Sequence, residues 1–247
     1  MQGKNFPVNL VVIPSFRYLL VPLLVLFVTS FSSCSKTDSD ITGQAGIVLV
    51  NAAYSIGPLE LTSSGTVIGV GPVDFGMTSA TASQPYIILN AGMRNFALSN
   101  TTGIIYNANY QLGLNKNYSL FAFDTINSNG TIKTLLVKDD TSLPDSGSAA
   151  VRFFNFSTDA GETGAAFFST TDTVLLSRIT YPGETTVSDS WAAFNRLDTG
   201  NYVLNVADTS IQLTSATITL SARKKYTFFV AGRRSDGSLR IYSYSHL

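Results

Sequence analysis

The chain repeats its own pattern once. Residues 47–51 (Ile-Val-Leu-Val-Asn) correspond to residues 151–155 (Val-Arg-Phe-Phe-Asn), a little over one hundred residues later. Three further matches follow in the same order at nearly the same offset, and the last pairs residues 129–130 (Asn-Gly) with residues 236–237 (Asp-Gly). Because four ordered matches are hard to reach by chance, the sequence predicts two tandem copies of one domain.

Each copy has the pattern of an all-β domain. Short runs rich in Val, Ile, Thr, Tyr and Phe are separated by Gly, Asn, Asp and Ser at intervals of about 8 to 14 residues. Tyr202, Leu204 and Val206 alternate along one run, as in a strand with one buried face. The Asn-Gly and Asp-Gly pairs predict tight type I′ hairpin turns between the last two strands of each copy. The predicted fold class is therefore all-β, with two tandem antiparallel β-sandwiches of about seven or eight strands each, immunoglobulin-like or transthyretin-like.

The N-terminal segment is typical of an export signal. Residues 18–28 form an apolar run of about eleven residues, and Lys4 and Arg17 precede it. A membrane-spanning helix needs about 20 apolar residues, and Pro22 interrupts this run. The run ends near Cys34, the single cysteine of the chain, so no internal disulfide can form.

Residues 31–34 (Phe-Ser-Ser-Cys) resemble a bacterial lipobox, in which the cysteine is acylated and becomes the mature N-terminus. The resemblance implies a signal peptide over residues 1–33 and a polar tether over residues 34–44, anchored by lipid on Cys34. The alternative is an incidental cysteine in a leader that is cleaved elsewhere. Residues 35–40 resemble the acidic signal that places some Gram-negative lipoproteins on the outer face of the outer membrane, and the alternative is a plain flexible tether. We expect an outer-membrane lipoprotein at the cell surface or on the periplasmic face.

The two repeats are expected over residues 45–138 and 149–247. Residues 139–148 between them are polar and contain Pro and Gly, which is typical of a linker. We interpret Asp139 and Asp140 in this linker as solvating charge. A linker of this length permits either a flexible or a fixed pair of domains.

The order of features resembles a known family. Each copy has an opening strand that ends in Asn, a mid-domain Gly followed by an aromatic residue and Leu, and a Lys-x-Tyr segment that enters an apolar strand. This order resembles the bacterial secreted family called domain of unknown function 4397, in two tandem copies. In that family a Ser-Pro-Asp-Ala segment commonly follows the opening strand; residues 157–160 (Ser-Thr-Asp-Ala) keep most of it, whereas residues 53–56 (Ala-Tyr-Ser-Ile) lack the acid. The resemblance implies a fold and an extracytoplasmic setting, and it implies no activity.

The chain offers few residues for catalysis. The single histidine, His246, is the penultimate residue, and Cys34 is assigned to lipid, so nucleophilic catalysis and zinc binding have almost no candidates. The three glutamates have no acidic partner at the spacing that two-carboxylate glycoside hydrolysis uses. Residues 159–162 hold two carboxylates that calcium could use, although a solvated loop explains them better. We expect no enzyme activity, no metal and no cofactor.

Two patterns suggest recognition sites. In the final strand, Arg240, Tyr242 and Tyr244 share a face that can stack on sugar rings; the alternative is that this face packs on the core or on the other repeat. Thr125 and Thr173 follow aspartate and precede aliphatic residues, which resembles the O-glycosylation sites of some exported Gram-negative proteins. Trp191 is interpreted as a core or inter-domain anchor.

These patterns indicate a non-catalytic lipoprotein of the cell envelope, with a structural, binding or adhesion role for its β-sandwiches. The alternative is a glycan-binding outer-membrane lipoprotein of a polysaccharide-uptake system. Expected partners are the membrane, through the lipid on Cys34, and a glycan or a protein of the envelope or host. The 16 basic and 16 acidic residues balance, which argues against nucleic acid.

Overall fold

The computed structural model of the chain describes residues 43–182, 192–208 and 211–246, apart from the side chains of residues 177 and 178. The predicted signal peptide, Cys34, the tether up to residue 42 and Trp191 lie outside the described residues. Within the described ranges, no helix is long and apolar enough to cross a membrane.

Eight strands build the first sandwich. They are β1 (Gln44–Ala52), β2 (Glu60–Ser63), β3 (Thr66–Val67), β4 (Ile87–Asn90), β5 (Gly92–Asn100), β6 (Gly103–Leu112), β7 (Asn117–Phe123) and β8 (Lys133–Asp139). One sheet has the strand order β4-β1-β7-β8, and the other has the order β3-β2-β5-β6.

Eight more strands build the second sandwich in the same way. They are β9 (Ser148–Asn155), β10 (Thr163–Phe168), β11 (Thr173–Ile179), β12 (Asn195–Asp198), β13 (Gly200–Ala207), β14 (Gln212–Leu220), β15 (Lys225–Ala231) and β16 (Arg240–Ser245). The sheet orders are β12-β9-β15-β16 and β11-β10-β13-β14. The predicted pair of β-sandwiches is thus confirmed. Each contains one parallel pair, β1 with β7 and β9 with β15, because the opening strand of each sandwich inserts beside its seventh.

The four sheets stack as four layers. Within the first sandwich, Leu49 of β1 and Phe96 of β5 belong to one apolar core; within the second, Phe153 of β9 and Leu204 of β13 belong to another. The opposite faces of β1 and β9 pack together in a third core, which includes Val50. A strand buried on both faces reads as a continuous apolar run, which explains the opening motif of each repeat.

The Asn at or next to the end of each opening strand holds the loop that follows it. The Asn51 side chain donates to the carbonyl oxygens of Gly57 and Val73, at 3.2 and 2.8 Å, and its oxygen accepts the N–H of Ala53. Asn155 makes the corresponding bonds: its side chain donates to the carbonyl oxygen of Gly161 at 2.8 Å, and its oxygen accepts the N–H of Ser157. The repeated Asn is therefore structural.

The two predicted hairpin turns lie at the predicted positions, but they are not type I′ turns. Residues 129–130 and 236–237 do lie between the last two strands of each sandwich. A type I′ turn needs positive φ at both central residues, but only Gly130 and Gly237 have it, at 74° and 71°. The connections are longer than two residues, and side chains such as Asn127 hold them by accepting backbone N–H groups.

Candidate functional site

The interface between the sandwiches is aromatic and buried. The ring of Phe121 in the first sandwich lies 4.9 Å from Phe154 and 4.9 Å from Phe156 in the second. At one margin of the interface, the Tyr181 hydroxyl donates to Asp124 at 2.7 Å. Both sandwiches belong to one compact unit. Because they share a core, the two repeats form a fixed pair.

A fully buried ion pair lies inside this interface. Nη2 of Arg152 on β9 donates to Oδ1 of Asp139 at 2.6 Å, and neither side chain is exposed. The interpretation of Asp139 as solvating charge is wrong, because this residue ends β8 and faces the second sandwich. The connection between the sandwiches is correspondingly shorter than the predicted linker, since β9 begins at Ser148.

The ion pair belongs to a closed ring of hydrogen bonds. Nε of Arg152 donates to Oγ1 of Thr227 at 2.7 Å, and Oγ1 lies 2.6 Å from Nε2 of His246. Because the only proton of the Tyr86 hydroxyl goes to Asp139, Nδ1 of His246 donates to Tyr86. The Thr227 hydroxyl therefore donates to Nε2. With Nε2 as acceptor, a neutral His246 carries its proton on Nδ1, which lies 2.6 Å from the Tyr86 hydroxyl. Tyr86 in turn donates to Oδ2 of Asp139 at 2.9 Å, which completes the ring.

Burial fixes the protonation of this network. Desolvation lowers the pKa of His246 to about 3 and raises the pKa of Tyr86 and of Tyr244, the latter to about 12. Burial acts to lower the pKa of Arg152, but the charges of Asp139 and Tyr244 and the hydrogen bonds to both together outweigh burial and raise the pKa. The ring therefore contains one charged pair and otherwise neutral groups. His246 and Thr227 are fully buried, so their hydroxyl–imidazole contact is not accessible to solvent.

The predicted tyrosine face is not an exposed surface. The Tyr244 hydroxyl donates to Ser119 in the first sandwich at 2.7 Å, and the residue is buried. The Tyr242 ring stacks on Phe229 at 5.4 Å and meets Phe75 of the first sandwich at 5.3 Å. Arg240 is exposed and donates to nearby carbonyl oxygens. The alternative interpretation, packing against the other repeat, describes Tyr242 and Tyr244 but not Arg240.

The two threonines of the predicted O-glycosylation sites lie in different surroundings. Thr173 is exposed at the start of β11, whereas Thr125 is only partly exposed. The carboxylate of Asp124 is held by Lys133 at 3.0 Å and by Tyr181, beside the interface.

The acid in the family-like segment also has a structural role. The side chain of Asp159 accepts the backbone N–H groups of Arg234 and Ser235, at 2.8 and 3.0 Å, in the connection between β15 and β16. Burial acts to raise the pKa of Asp159, but these bonds outweigh it and lower the pKa to about 2. Among the described residues, no group of three or more His, Cys, Asp or Glu side chains is arranged to hold a metal.

A cavity with both apolar and polar lining lies on the outer face of the second sandwich. It has a volume of about 460 Å³ and opens on the sheet formed by β10, β11, β13 and β14. Its floor is made by Gly164, Ala166 and Ala207, where no large side chain rises from the centre of the sheet. Phe168 and Leu175 stand at its sides and are 39% and 69% exposed. We call this cavity the outer groove.

Polar groups complete the outer groove. The register places Asn205 of β13 directly beside Ala166 of β10, and Gln212 of β14 lies beside Ala207. Glu162 and Asp208 also line the groove, and Asp208 forms an ion pair with Arg234 at 2.8 Å. The groove thus combines apolar side chains with amides and carboxylates. Sequence reasoning missed it, and the one available signal was Phe168, which follows Gly164 and Ala166 on the outward side of β10.

The comparisons with known proteins add one family match. The model of a family described as "Domain of unknown function (DUF4397)" matches residues 45–163, which span the first sandwich and the opening strand of the second. No curated protein matches the sequence. Eleven chains of solved structures match, and one is a streptococcal virulence factor that binds alpha-glucan. The match to that protein covers 81% of this chain and 96% of the other at 10% identity, and its TM-score of 0.24 is too low to carry an argument.

Proposed function

We propose that this chain is a non-catalytic binding protein of the cell envelope, anchored by an acylated Cys34, and that its outer groove binds a glycan. The observation that carries the proposal is the make-up of the groove. Sugars present apolar C–H faces and paired hydroxyl groups. A binding site for them combines exposed apolar side chains with fixed amide or carboxylate groups.

The outer groove supplies both kinds of contact. Phe168 offers an exposed ring to a C–H face, and Asn205 offers an amide donor and acceptor from a central strand. The backbone of β10 and β13 is held by ladder hydrogen bonds on both sides. These side chains therefore project from rigid strands, which lowers the entropic cost of ordering the site when a ligand binds.

The shared core supports a role in presentation. Because the interface between the sandwiches is filled by its own side chains, contacts with other molecules are left to the outer sheets and the loops. The absence of catalysis remains part of the proposal, and it is supported by the burial of the single histidine in a closed network.

The glycan proposal is tested with the full chain in detergent, first on a glycan array and then by calorimetric titration of the strongest ligand. Phe168→Ala should weaken binding about fivefold, since the loss of ring stacking costs about 1 kcal/mol. Met93→Ala is the matched control, because Met93 is exposed on the outer sheet of the first sandwich. If no glycan binds Phe168→Ala more weakly than Met93→Ala, the assignment of the groove is refuted.

The anchor is tested separately. Mass spectrometry of the mature N-terminus should find an acylated Cys34, and Cys34→Ala should remove the modification and release the protein from membranes. External protease should remove the protein from intact cells if the anchor lies at the surface. Protection from protease would place the protein on the periplasmic face and disfavour capture of external glycans.

We also propose that the second sandwich is a further copy of the family domain matched by the first. The support is the identical strand order of the two sandwiches, including the parallel pair, and the shared hydrogen bonds of Asn51 and Asn155.

A further inference from the structure

The edge strands of the four sheets differ in how well they are protected. An edge strand exposes unpaired N–H and C=O groups, and proteins usually guard such edges by short length, charge or cover. Here β3, β4 and β12 are only 2, 4 and 4 residues long. Charged residues occur in β8, β11 and β16. Among the described strands, only the edges β6 and β14 are both long and uncharged.

The edge of β6 is partly covered. The carbonyl oxygen of Ile105 accepts the N–H of Ile132, at 3.1 Å, from the connection between β7 and β8. The hydroxyls of Tyr106 and Tyr110 bond to each other at 2.6 Å, and Tyr110 lies 3.0 Å from Thr134 on β8. The neighbouring hairpin therefore occupies part of this edge.

The edge of β14 is close to β16, but among the described residues no hydrogen bond joins these two strands. In the part of the chain that the structure describes, the backbone hydrogen bonds of this strand run to β13 alone. The strand has nine residues, with no charged side chain and no proline or glycine. Ser215, Thr217 and Thr219 point outward and are exposed. This composition favours β-structure and leaves the edge open to pairing.

We propose that β14 pairs antiparallel with β14 of a second copy of this chain, so that two outer sheets join into one sheet of eight strands. A two-fold axis makes such a contact self-complementary and closed. With no charge on the strand, no side chain meets a like charge on its copy. Threonine and serine pairs across the junction add favourable contacts. Both outer grooves then lie on the same face of the joined sheet.

The proposal is tested by sedimentation of the full chain in a density-matched detergent. We expect a dimer at micromolar concentration, and Thr217→Lys should weaken association about tenfold or more. Asn109→Lys is the matched control, because Asn109 holds the same position in β6, three residues before the strand end. Both residues are exposed, so both variants should keep their urea midpoints.

A second measurement avoids dependence on a variant. Amide hydrogen exchange in β14 should slow as the concentration of the unmodified chain rises, while exchange in β6 stays constant. A monomer at all concentrations, a dimer that tolerates Thr217→Lys, or equal loss of the dimer in both variants would overturn the proposal. Capture of another protein's strand by a monomeric chain would also overturn it.

Discussion

Replacing Asp139 with asparagine removes the negative charge from the interface while keeping its shape. In the folded chain Arg152 would then be a buried cation without a counter-ion. Breaking a buried pair in this way costs about 3–5 kcal/mol. We expect the lower end, about 3 kcal/mol, because the guanidinium keeps its bond to Thr227 and lies 4.7 Å from the ring of Phe194.

The neighbouring acid gives a matched control. Asp140 pairs with Lys225 at 2.7 Å, and although the Lys225 side chain is only 4% exposed, that of Asp140 is 64% exposed, so Asp140→Asn should cost less than Asp139→Asn, about 1–2 kcal/mol. Lys225 also keeps its bonds to the Asp140 carbonyl oxygen and to Ser142.

Urea unfolding followed by circular dichroism measures both variants. We expect one cooperative transition, because the sandwiches share a core, and a lower midpoint for Asp139→Asn than for Asp140→Asn. The double variant Asp139→Leu with Arg152→Met should recover only part of the loss, because no unpaired charge remains but the Tyr86 and Ser119 hydroxyls lose their acceptor. Equal midpoints for Asp139→Asn and Asp140→Asn would refute the reasoning, because the buried pair of Asp139 and Arg152 would then contribute no more than the pair of Asp140 and Lys225.

Three further predictions concern other parts of the network and fold. The pKa of His246 is about 3 in the folded chain and about 6.5 when unfolded, so stability should fall as pH drops from 6.5 towards 3, by up to about 1.4 kcal/mol per pH unit. Urea midpoints at pH 7 and pH 5 should show this slope, and His246→Gln should remove it. Asp159→Ala should cost about 1 kcal/mol by urea titration, because the Ser235 N–H loses its acceptor. Gly232→Ala should lower the thermal midpoint, since φ is 94° and a Cβ would lie 2.5 Å from the Ser238 oxygen; an unchanged midpoint would contradict this.

The sequence was sufficient for the fold class. Alternation in a run such as Tyr202, Leu204 and Val206 depends only on the period of a strand, and all three side chains are buried as predicted. The repeat, about seven or eight strands per copy, and the position of the last hairpin follow from the same local patterns. The turn type did not follow, because it depends on how the flanking connection closes.

The functional surfaces were decided by tertiary structure. Asp139 reads as solvating charge in a linker, and His246 reads only as the penultimate residue of the chain, yet both are buried where two sheets meet. The alternation of side chains around Tyr244 in the sequence is the same whether its face of the strand binds a ligand or packs on another domain. The outer groove arises from small residues on two neighbouring strands, of which Ala166 and Ala207 are far apart in sequence.

Local sequence patterns thus determined which residues form strands and which side of each strand is apolar, because these depend on neighbours one and two positions away. The docking of the sandwiches, the ring around Arg152 and the groove beside Phe168 join residues that are distant along the chain. Only the packing of sheet against sheet fixed these contacts, since an apolar or polar face carries no mark of the surface that it will meet.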